Sequence, residues 1–461
     1  MAISRLFIAN RGEIAVRIIR AAKDLGITTI QGYSEGDADM LAVKLADESV
    51  CLGAAASKDS YLNIENLMAA IREIGADAVH PGYGFLSESP RFARAVEEAG
   101  VIFVGPSADT IERMGDKVEA RQAAEAAGVP VVPGSKGRID TVDDAVAVAK
   151  EVGYPVMIKA AAGGGGRGIR VADTEEELRK LAPQAQAEAA AAFGDGGLYL
   201  ERAVRSPRHI EVQILGDGTN AVHCYERECS LQRRRQKVWE EAGAICLDDK
   251  TRETLCRSAV ALAKAVNYCG AGTLEYLYDE ASGAFYFIEM NTRIQVEHPI
   301  SEMITGVDLV QEMIRVCGGA PLSITQDQIT KNGHAIEVRI NAEDPHMQFM
   351  PWPGKLEKMH VPQGDGIRFD HFLYEGYQIP PFYDSLLGKV IVHAPTRAEA
   401  IAKLKGALQQ IELTGLKTTI PLHLALADDP IVQEGAFHTQ WLEPWLDAGN
   451  LKPSTTTGGA S

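Results

Sequence analysis

The 461 residues predict an α/β protein that opens on a doubly wound parallel sheet. Three observations lead there. Short apolar strands alternate with amphipathic helical stretches through residues 3–104. A run of glycines at 163–166 lies between two strand-like segments. An apolar hairpin over 271–291 ends in acids and an amide. Alternating β and α segments mean a parallel sheet covered by helices, and the length fits roughly two to four domains.

The first strand covers residues 3–10 and ends at Asn10. Residues 11–26 read as a helix with Ile14, Ile18, Ala22 and Leu25 on one face and Gly26 as its stop. Further strands are expected near 28–33, 78–80 and 101–104, with helical segments between them. The first turn, Ala9-Asn-Arg-Gly-Glu, lacks Gly-x-Gly-x-x-Gly, so no dinucleotide is assigned to it. His80-Pro-Gly-Tyr-Gly-Phe-Leu-Ser-Glu88 follows a strand, where α/β sheets place ligand loops, and Tyr83 could stack on a flat ligand.

Residues 109–127 read as one helix carrying Asp116 and Lys117. The strand 155–159 ends in Lys159 and enters Ala160-Ala-Ala-Gly-Gly-Gly-Gly-Arg-Gly168. Glycine N–H groups there can wrap phosphate oxygens; a flexible linker is the bland alternative. The glycines formally satisfy Gly-x-Gly-x-x-Gly, but Ile169-Arg-Val171 continues as a strand, so the dinucleotide reading fails on context. Thr174 with Glu177 reads as a capping box. The strand 198–202 ends in Glu201 and Arg202, and 209–215 puts His209, Glu211 and Gln213 on one face. Residues 229–238 pack Arg233, Arg234, Arg235 and Lys237 into five positions, either a solvated face or a loop facing bound anions.

In the hairpin, Phe285, Phe287, Glu289 and Asn291 share one face; Tyr286, Ile288 and Met290 share the other. Pairing brings Glu275 close to opposite Glu289. Two carboxylates and an amide oxygen suit a hard cation such as Mg²⁺. Arg293, Gln295 and Glu297 continue on alternate residues, a set able to hold a small anion and take a proton from it. Beyond it, 308–317 reads as a helix, and 333–341 as a strand pointing Glu337 and Arg339 to one side. Residues 345–385 read as short strands and turns. Residues 386–393 form a strand, and Thr396 with Glu399 caps a helix reaching Gln410 before a last strand–helix pair. The Ser/Thr/Gly-rich end, 451–461, is expected to be disordered.

Composition narrows the function. The net charge of −17 argues against nucleic-acid binding, and no apolar run reaches membrane-spanning length. Seven scattered cysteines without Cys-x-x-Cys fit a reduced, cytoplasmic protein without a structural zinc site.

The sequence resembles the biotin carboxylases, ATP-grasp enzymes that form the first half of biotin-dependent carboxylases, over about residues 3–447. The resemblance rests on Ala9-Asn-Arg-Gly-Glu-Ile-Ala, His80-Pro-Gly-Tyr-Gly-Phe-Leu-Ser-Glu, the Gly163–Gly168 loop, Pro207-Arg-His-Ile-Glu and Ile288-Glu-Met-Asn-Thr-Arg-Ile-Gln-Val-Glu-His. It implies an N-terminal domain over 1–115, an ATP-grasp domain over 116–330 with a glycine-rich lid at about 132–203, a C-terminal α/β domain over 331–447, and a tail over 448–461. By motif, Lys117, Lys159, Gly163, Gly164, Gly165, Gly166, Glu201, Arg202, His209, Gln232, Arg235 and Glu275 match nucleotide-contacting positions. Glu275, Glu289 and Asn291 match ligands of Mg²⁺ or Mn²⁺. Lys237, Arg293, Gln295 and Val296 match a bicarbonate pocket, Glu297 its base, Arg339 the cation facing the biotin enolate, and Tyr83 a position near biotin.

The implied reaction is ATP- and bicarbonate-dependent carboxylation of biotin through carboxyphosphate, with the glycine lid excluding water. Three departures stand out: Arg235 where the family usually has histidine, Arg202 in place of a usual lysine, and Glu240-Glu-Ala-Gly-Ala-Ile in place of a proline-containing stretch. No Ala-Met-Lys-Met biotinylation motif occurs, so biotin is expected on a separate carrier, with a separate carboxyltransferase subunit and a homodimeric enzyme. Acetyl-CoA or another acyl-CoA is the expected final acceptor; pyruvate, 2-oxoglutarate and urea-like acceptors stay open. The alternatives are another ATP-grasp ligase joining a carboxylate to an amine, or a catalytically silent regulatory paralogue.

Overall fold

The computed structural model describes residues 3–160, 170–193 and 196–451. Gly163, Gly164, Gly165 and Gly166 lie outside the described residues, as does the tail from 452 onward. The chain divides into two compact units, one from Met1–Val129, Arg208–Tyr276 and Glu289–Ser461, the other from Pro130–Pro207 and Leu277–Ile288.

The first unit begins with the expected parallel sheet. Strands β1 (Arg5–Ile8), β2 (Thr28–Ser34), β3 (Glu48–Gly53), β4 (Ala78–His80) and β5 (Ile102–Phe103) lie in the order β3-β2-β1-β4-β5, every pair parallel. β3 escapes the sequence reading. As an edge strand it exposes Ser49 and Cys51, so it lacks the continuous apolar run of a strand covered on both faces. The intervening helices are α1 (Gly12–Asp24), α2 (Leu41–Leu45), α3 (Ile64–Ile74) and α4 (Pro90–Glu98). Ile14, Ile18 and Ile19 of α1 are almost completely buried, roughly 1.5–3 kcal/mol of hydrophobic stabilisation for each.

The single helix expected over 109–127 is two, α5 (Ala108–Gly115) and α6 (Lys117–Ala126). Gly115 is a poor helix former, and the Asp116 carboxylate accepts from the N–H groups of Val118 at 2.8 Å and Glu119 at 2.9 Å. An acid that caps this strongly starts a new helix, so Lys117 becomes the first residue of α6.

The second unit is small. Helices α7 (Val142–Val152) and α8 (Glu175–Phe193) pack with an antiparallel sheet of β6 (Val156–Ala160), β7 (Arg170–Ala172) and β8 (Leu198–Arg202), in the order β7-β6-β8. Its core mixes Val156, Ile158, Leu178, Leu198 and Leu200 with alanines 145, 149, 172, 182 and 185. The Thr174 hydroxyl accepts from Glu177 N–H at 3.2 Å, but the Glu177 carboxylate returns to Asp173 N–H at 2.7 Å. The capping box is thus displaced by one residue on its return leg.

A larger sheet carries the chemistry. Its strands are β9 (Arg208–Asp217), β10 (Ala221–Arg233), β11 (Gln236–Ala242), β12 (Cys269–Asp279), β13 (Ala284–Asn291) and β14 (His334–Asn341). After the small pair β15 (Glu343–Asp344) and β16 (Met350–Pro351), and β17 (Lys358–His360), it gains β18 (Ile367–His371) and β19 (Leu386–Ala394). The order is β13-β12-β9-β10-β11-β14-β19-β18. Strands from either side of residue 331 therefore hydrogen-bond in one sheet, with β11 antiparallel to β14. Helices α9 (Asp249–Ala265), α10 (His298–Thr305), α11 (Leu309–Cys317) and α12 (Arg397–Gln410) cover it. Asp308 caps α11, and Thr396 with Glu399 forms the expected capping box of α12.

The basic run at 229–238 is a hairpin rather than a loop. β10 turns into β11 through Arg234 and Arg235, both with positive φ, 48° and 65°. Two left-handed residues make the tight turn that matches strand twist. No helix among the described residues is long and apolar enough to cross a membrane.

Candidate active site

The larger sheet turns a row of charges inward. On β9 the alternation places His209, Glu211 and Gln213 on one side; all three are buried. β10 contributes Arg227, β11 contributes Lys237, and β12 contributes Glu275. The segment after β13 adds Arg293, Gln295 and Glu297, and β14 adds Arg339. Residues far apart in the chain meet because strand pairing aligns them.

Lys237 is the hub. Its ammonium donates to Glu211 Oε2 at 2.5 Å, Glu297 Oε1 at 2.7 Å and Glu275 Oε1 at 3.0 Å. Arg227, fully buried, donates to Glu211 Oε1 at 2.6 Å and Gln213 Oε1 at 2.6 Å, and also to the side-chain oxygens of Ser301, Thr273 and Gln295. Gln295 Nε2 then donates to Glu275 Oε1 at 3.1 Å. Arg339 donates from Nη2 to Glu297 Oε2 at 3.1 Å and from Nε to Glu240 Oε1 at 2.7 Å. Both oxygens of Glu297 thus face cations.

The charges tune one another. Burial would raise Glu297, but Lys237, Arg339 and Arg227 hold it below the ordinary carboxylate range. Burial likewise opposes ionisation of Glu275, and Lys237 and His209 overcome it. Burial would lower His209, but Glu275, 3.3 Å away, and Glu211 lift it to about 9. Glu289 goes the other way, raised by partial desolvation and by the negative charges of Glu275 and Glu88.

The predicted metal set fits a hard cation in its donor chemistry. Glu275, Glu289 and Asn291 offer oxygen donors, and the mutual repulsion of Glu275 and Glu289 is what a divalent ion relieves. Asn291 donates from Nδ2 to Glu275 Oε1 at 2.9 Å and accepts from Arg293 Nη2 at 2.8 Å. Glu275 also converges with His209 and Glu211 to within 4.8 Å, a second group of potential ligand atoms. The hairpin faces are less clean than the alternation predicts: Tyr286 is buried along with Phe285 and Phe287, whereas Glu289 is exposed.

Of the predicted residues, His209, Lys237, Glu275, Asn291, Arg293, Gln295, Glu297 and Arg339 join this network. The backbone carbonyl of Val296 accepts from Lys389. Gln232 turns its amide to the Cys229 carbonyl at 2.9 Å, and Arg235 is exposed at the hairpin turn. Lys117 is exposed at the start of α6. In the second unit Lys159 pairs with Glu201, and Arg202 ends β8. Tyr83 donates its hydroxyl to Glu13, which Lys389 also meets at 3.1 Å. The same loop delivers Glu88, whose carboxylate accepts from Arg293 Nε at 3.0 Å and Thr292 N–H at 3.2 Å.

Arg227, Glu240 and Glu88 were not singled out by sequence, and Glu211 was noted only for its face. The available signal for Arg227 and Glu240 was charged residues inside otherwise apolar strands, which is unusual for strands buried on both faces; Glu88 lies in a loop and carried no such signal.

A small antiparallel unit carrying a lysine–glutamate pair, and an acid-bearing hairpin beside buried cations, define an ATP-grasp ligase. Family models agree. Residues 2–111 match the biotin carboxylase N-terminal domain, 116–325 the ATP-binding domain of the carbamoyl-phosphate synthase L chain, and 337–444 the biotin carboxylase C-terminal domain. Biotin carboxylase 1 of Bacillus subtilis is 53% identical over 444 residues, 96% of this chain and 99% of that one. The biotin carboxylase domain of a thermophilic 2-oxoglutarate carboxylase, solved with ADP without magnesium, superposes with a TM-score of 0.92 at 47% identity, covering 98% of this chain and 100% of that one. The corresponding domain dimer from Hydrogenobacter thermophilus, solved with MgADP, ADP and bicarbonate, gives 0.86 at 47% identity, covering 98% and 100%. The chain belongs to the biotin carboxylase family.

Proposed function

We propose that this chain carboxylates biotin held on a separate carrier protein, using ATP and bicarbonate. The observation that carries the reading is Glu297, a buried carboxylate clasped on one oxygen by Lys237 and on the other by Arg339. Arg293 and Gln295 lie within the same hydrogen-bonded set, a small-anion pocket next to a base. A bicarbonate complex of a 47% identical relative supports that assignment.

In this scheme Arg293, Gln295 and the Val296 backbone hold bicarbonate, with Lys237 at its side. Glu297 takes its proton, which cancels one negative charge. Lys237 and Arg339 then lose part of their compensation and turn toward the anion, where their charge is needed. The bicarbonate oxygen attacks the γ-phosphorus of ATP, ADP leaves, and carboxyphosphate forms. Carboxyphosphate breaks into CO₂ and phosphate, phosphate accepts the N1′ proton of biotin, and Arg339 stabilises the ureido enolate that captures CO₂. Magnesium bound by Glu275, Glu289 and Asn291 would offset the charge of the ATP phosphates. Lys117, Lys159, Glu201, Arg202, His209, Gln232 and Arg235 are assigned to nucleotide contact, and Tyr83 to the biotin side.

We assign the protein to the cytoplasm and to a homodimer, the state named for the Hydrogenobacter domain. Acyl-CoA, acetyl-CoA first, is the proposed final acceptor. The 2-oxoglutarate carboxylase relatives make a 2-oxo acid its direct competitor. Pull-down of the carrier and its carboxyltransferase, followed by ¹⁴C-bicarbonate fixation into acetyl-CoA or 2-oxoglutarate, separates them. For the core activity the test is phosphate release from MgATP and bicarbonate with and without free biotin. Biotin stimulation lost in Glu297→Gln supports the reading; turnover indifferent to biotin refutes it.

A further inference from the structure

The seven cysteines are scattered in sequence, yet two meet in the fold. Cys269, the first residue of β12, and Cys317, the last of α11, place their sulfurs 3.8 Å apart across a separation of 48 residues. Both residues are half-buried, so neither is sealed in the core. We propose that Cys269 and Cys317 form a reversible oxidation site that reacts with hydroperoxides and closes to an intramolecular disulfide.

The geometry permits closure. A disulfide holds its sulfurs at about 2.05 Å, so about 1.8 Å of approach is shared between two side chains able to rotate about χ1. Each cysteine is followed by glycine, Gly270 at φ 91° and Gly318 with Gly319 at φ 91°, so the backbone on both sides is free to adjust. A methyl group at Gly270 would already lie 3.5 Å from the Cys317 sulfur, which shows how closely β12 approaches the end of α11.

The pair is chemically asymmetric. The hydrogen bond between the two sulfurs and one from the Gly270 N–H favour thiolate at Cys269 against burial and Asp217; the same contact and burial hold the proton on Cys317, whose thiol also faces the Gly105 carbonyl at 3.7 Å. Cys269 is therefore the attacking sulfur. Its thiolate attacks the hydroperoxide, the O–O bond breaks, an S–O bond forms, and the leaving alkoxide or hydroxide takes a proton from water. The Cys317 sulfur then attacks the sulfenic sulfur of Cys269, the S–S bond forms, the S–O bond breaks, and the departing hydroxide leaves with the Cys317 proton as water. Two thiols lose two electrons and one peroxide gains them. The product ties the start of β12, the strand that carries Glu275, to the end of α11.

The full chain is treated with equimolar hydrogen peroxide, alkylated without reduction, digested and analysed by mass spectrometry. The expected result is a peptide pair joined through Cys269 and Cys317, two fewer titratable thiols per chain, a higher unfolding temperature, and reversal of all three by dithiothreitol. In Cys317→Ser, dimedone should trap a sulfenic acid on Cys269; in Cys269→Ser neither cross-link nor trapped Cys317 should appear. Wild-type protein whose two thiols stay titratable, or end as separate sulfinic acids without a cross-link, overturns the proposal. That readout needs no variant to fold.

Discussion

The two compact units hold their charges in opposite ways. In the first, buried Glu211, Arg227, Glu275 and Glu297 and the half-buried Lys237 are joined by hydrogen bonds into one lattice. In the second, Lys159 and Glu201 form a single pair, with side chains 35% and 25% exposed. A buried lattice gains little as a salt bridge, because desolvation offsets much of its Coulomb energy, but it is costly to break and fixes each group in place. A half-exposed pair is cheap to separate. The first arrangement suits groups that must act on a reacting atom at fixed geometry; the second suits groups that change partner when a ligand arrives.

The sharpest way to break this contrast is at the proposed base. Glu297→Gln keeps the shape but removes the proposed proton acceptor, and biotin-stimulated phosphate release should fall by about 10²–10⁴-fold. Retained turnover would put the base elsewhere, with Glu211 the first place to look. Arg227→Met asks whether the lattice is a structural unit. Glu211 would lose its buried partner, and urea unfolding should show a loss of roughly 3–5 kcal/mol. A loss under 1 kcal/mol would mean that Lys237 alone holds Glu211.

Lys159→Met makes the converse test in the second unit. Stability should change by less than about 1 kcal/mol, because the pair is partly solvated. The KM for ATP should rise roughly tenfold, the size of one lost charge-assisted contact. A large loss of stability with unchanged KM would reverse the contrast and make Lys159 a structural residue.

The same contrast explains what could be read from sequence. The parallel sheet, α1, α11, the α12 capping box and the row Arg293, Gln295, Glu297 were legible because each is local: a periodicity, a cap, or alternate residues on one segment. Glu240 and Arg227 were not, since each is defined by a cross-strand partner. Arg339 reaches Glu240 only because β14 lies beside β11, and Arg227 finds Glu211 only because β10 lies beside β9. The basic run was legible only in part, because four cations on one stretch do not say which of them enters the network. In the fold Arg233 lies over Phe349 at 3.6 Å, Arg234 and Arg235 make the turn, and only Lys237 enters the network. The Cys269–Cys317 contact joins residues with no shared periodicity, and no local signal could have announced it.

The smallest effect on turnover isolates Glu240. Its carboxyl is raised to about 7, first by burial and then against the pull of Arg339, with the negative charge of Glu297 adding to the rise; Lys237 lowers it, and Glu337, itself pushed up, pairs with it across β11 and β14. A folded value above the ordinary 4.5 means that its contribution to stability is complete below about 4.5 and is lost as pH rises through about 7. Glu240→Gln removes that titration, so its stability relative to wild type should improve by roughly 2–3 kcal/mol between pH 5 and pH 8. Catalysis should move in the opposite sense. Above pH 7 the ionised Glu240 draws Arg339 away from Glu297 electrostatically and makes Glu297 the stronger base. The wild-type rate with bicarbonate should therefore climb severalfold through pH 7, and the Gln variant should lose that limb while keeping its fold. A variant whose pH–rate profile overlays wild type would show that Arg339 answers to Glu297 alone, and that the buried lattice ends there.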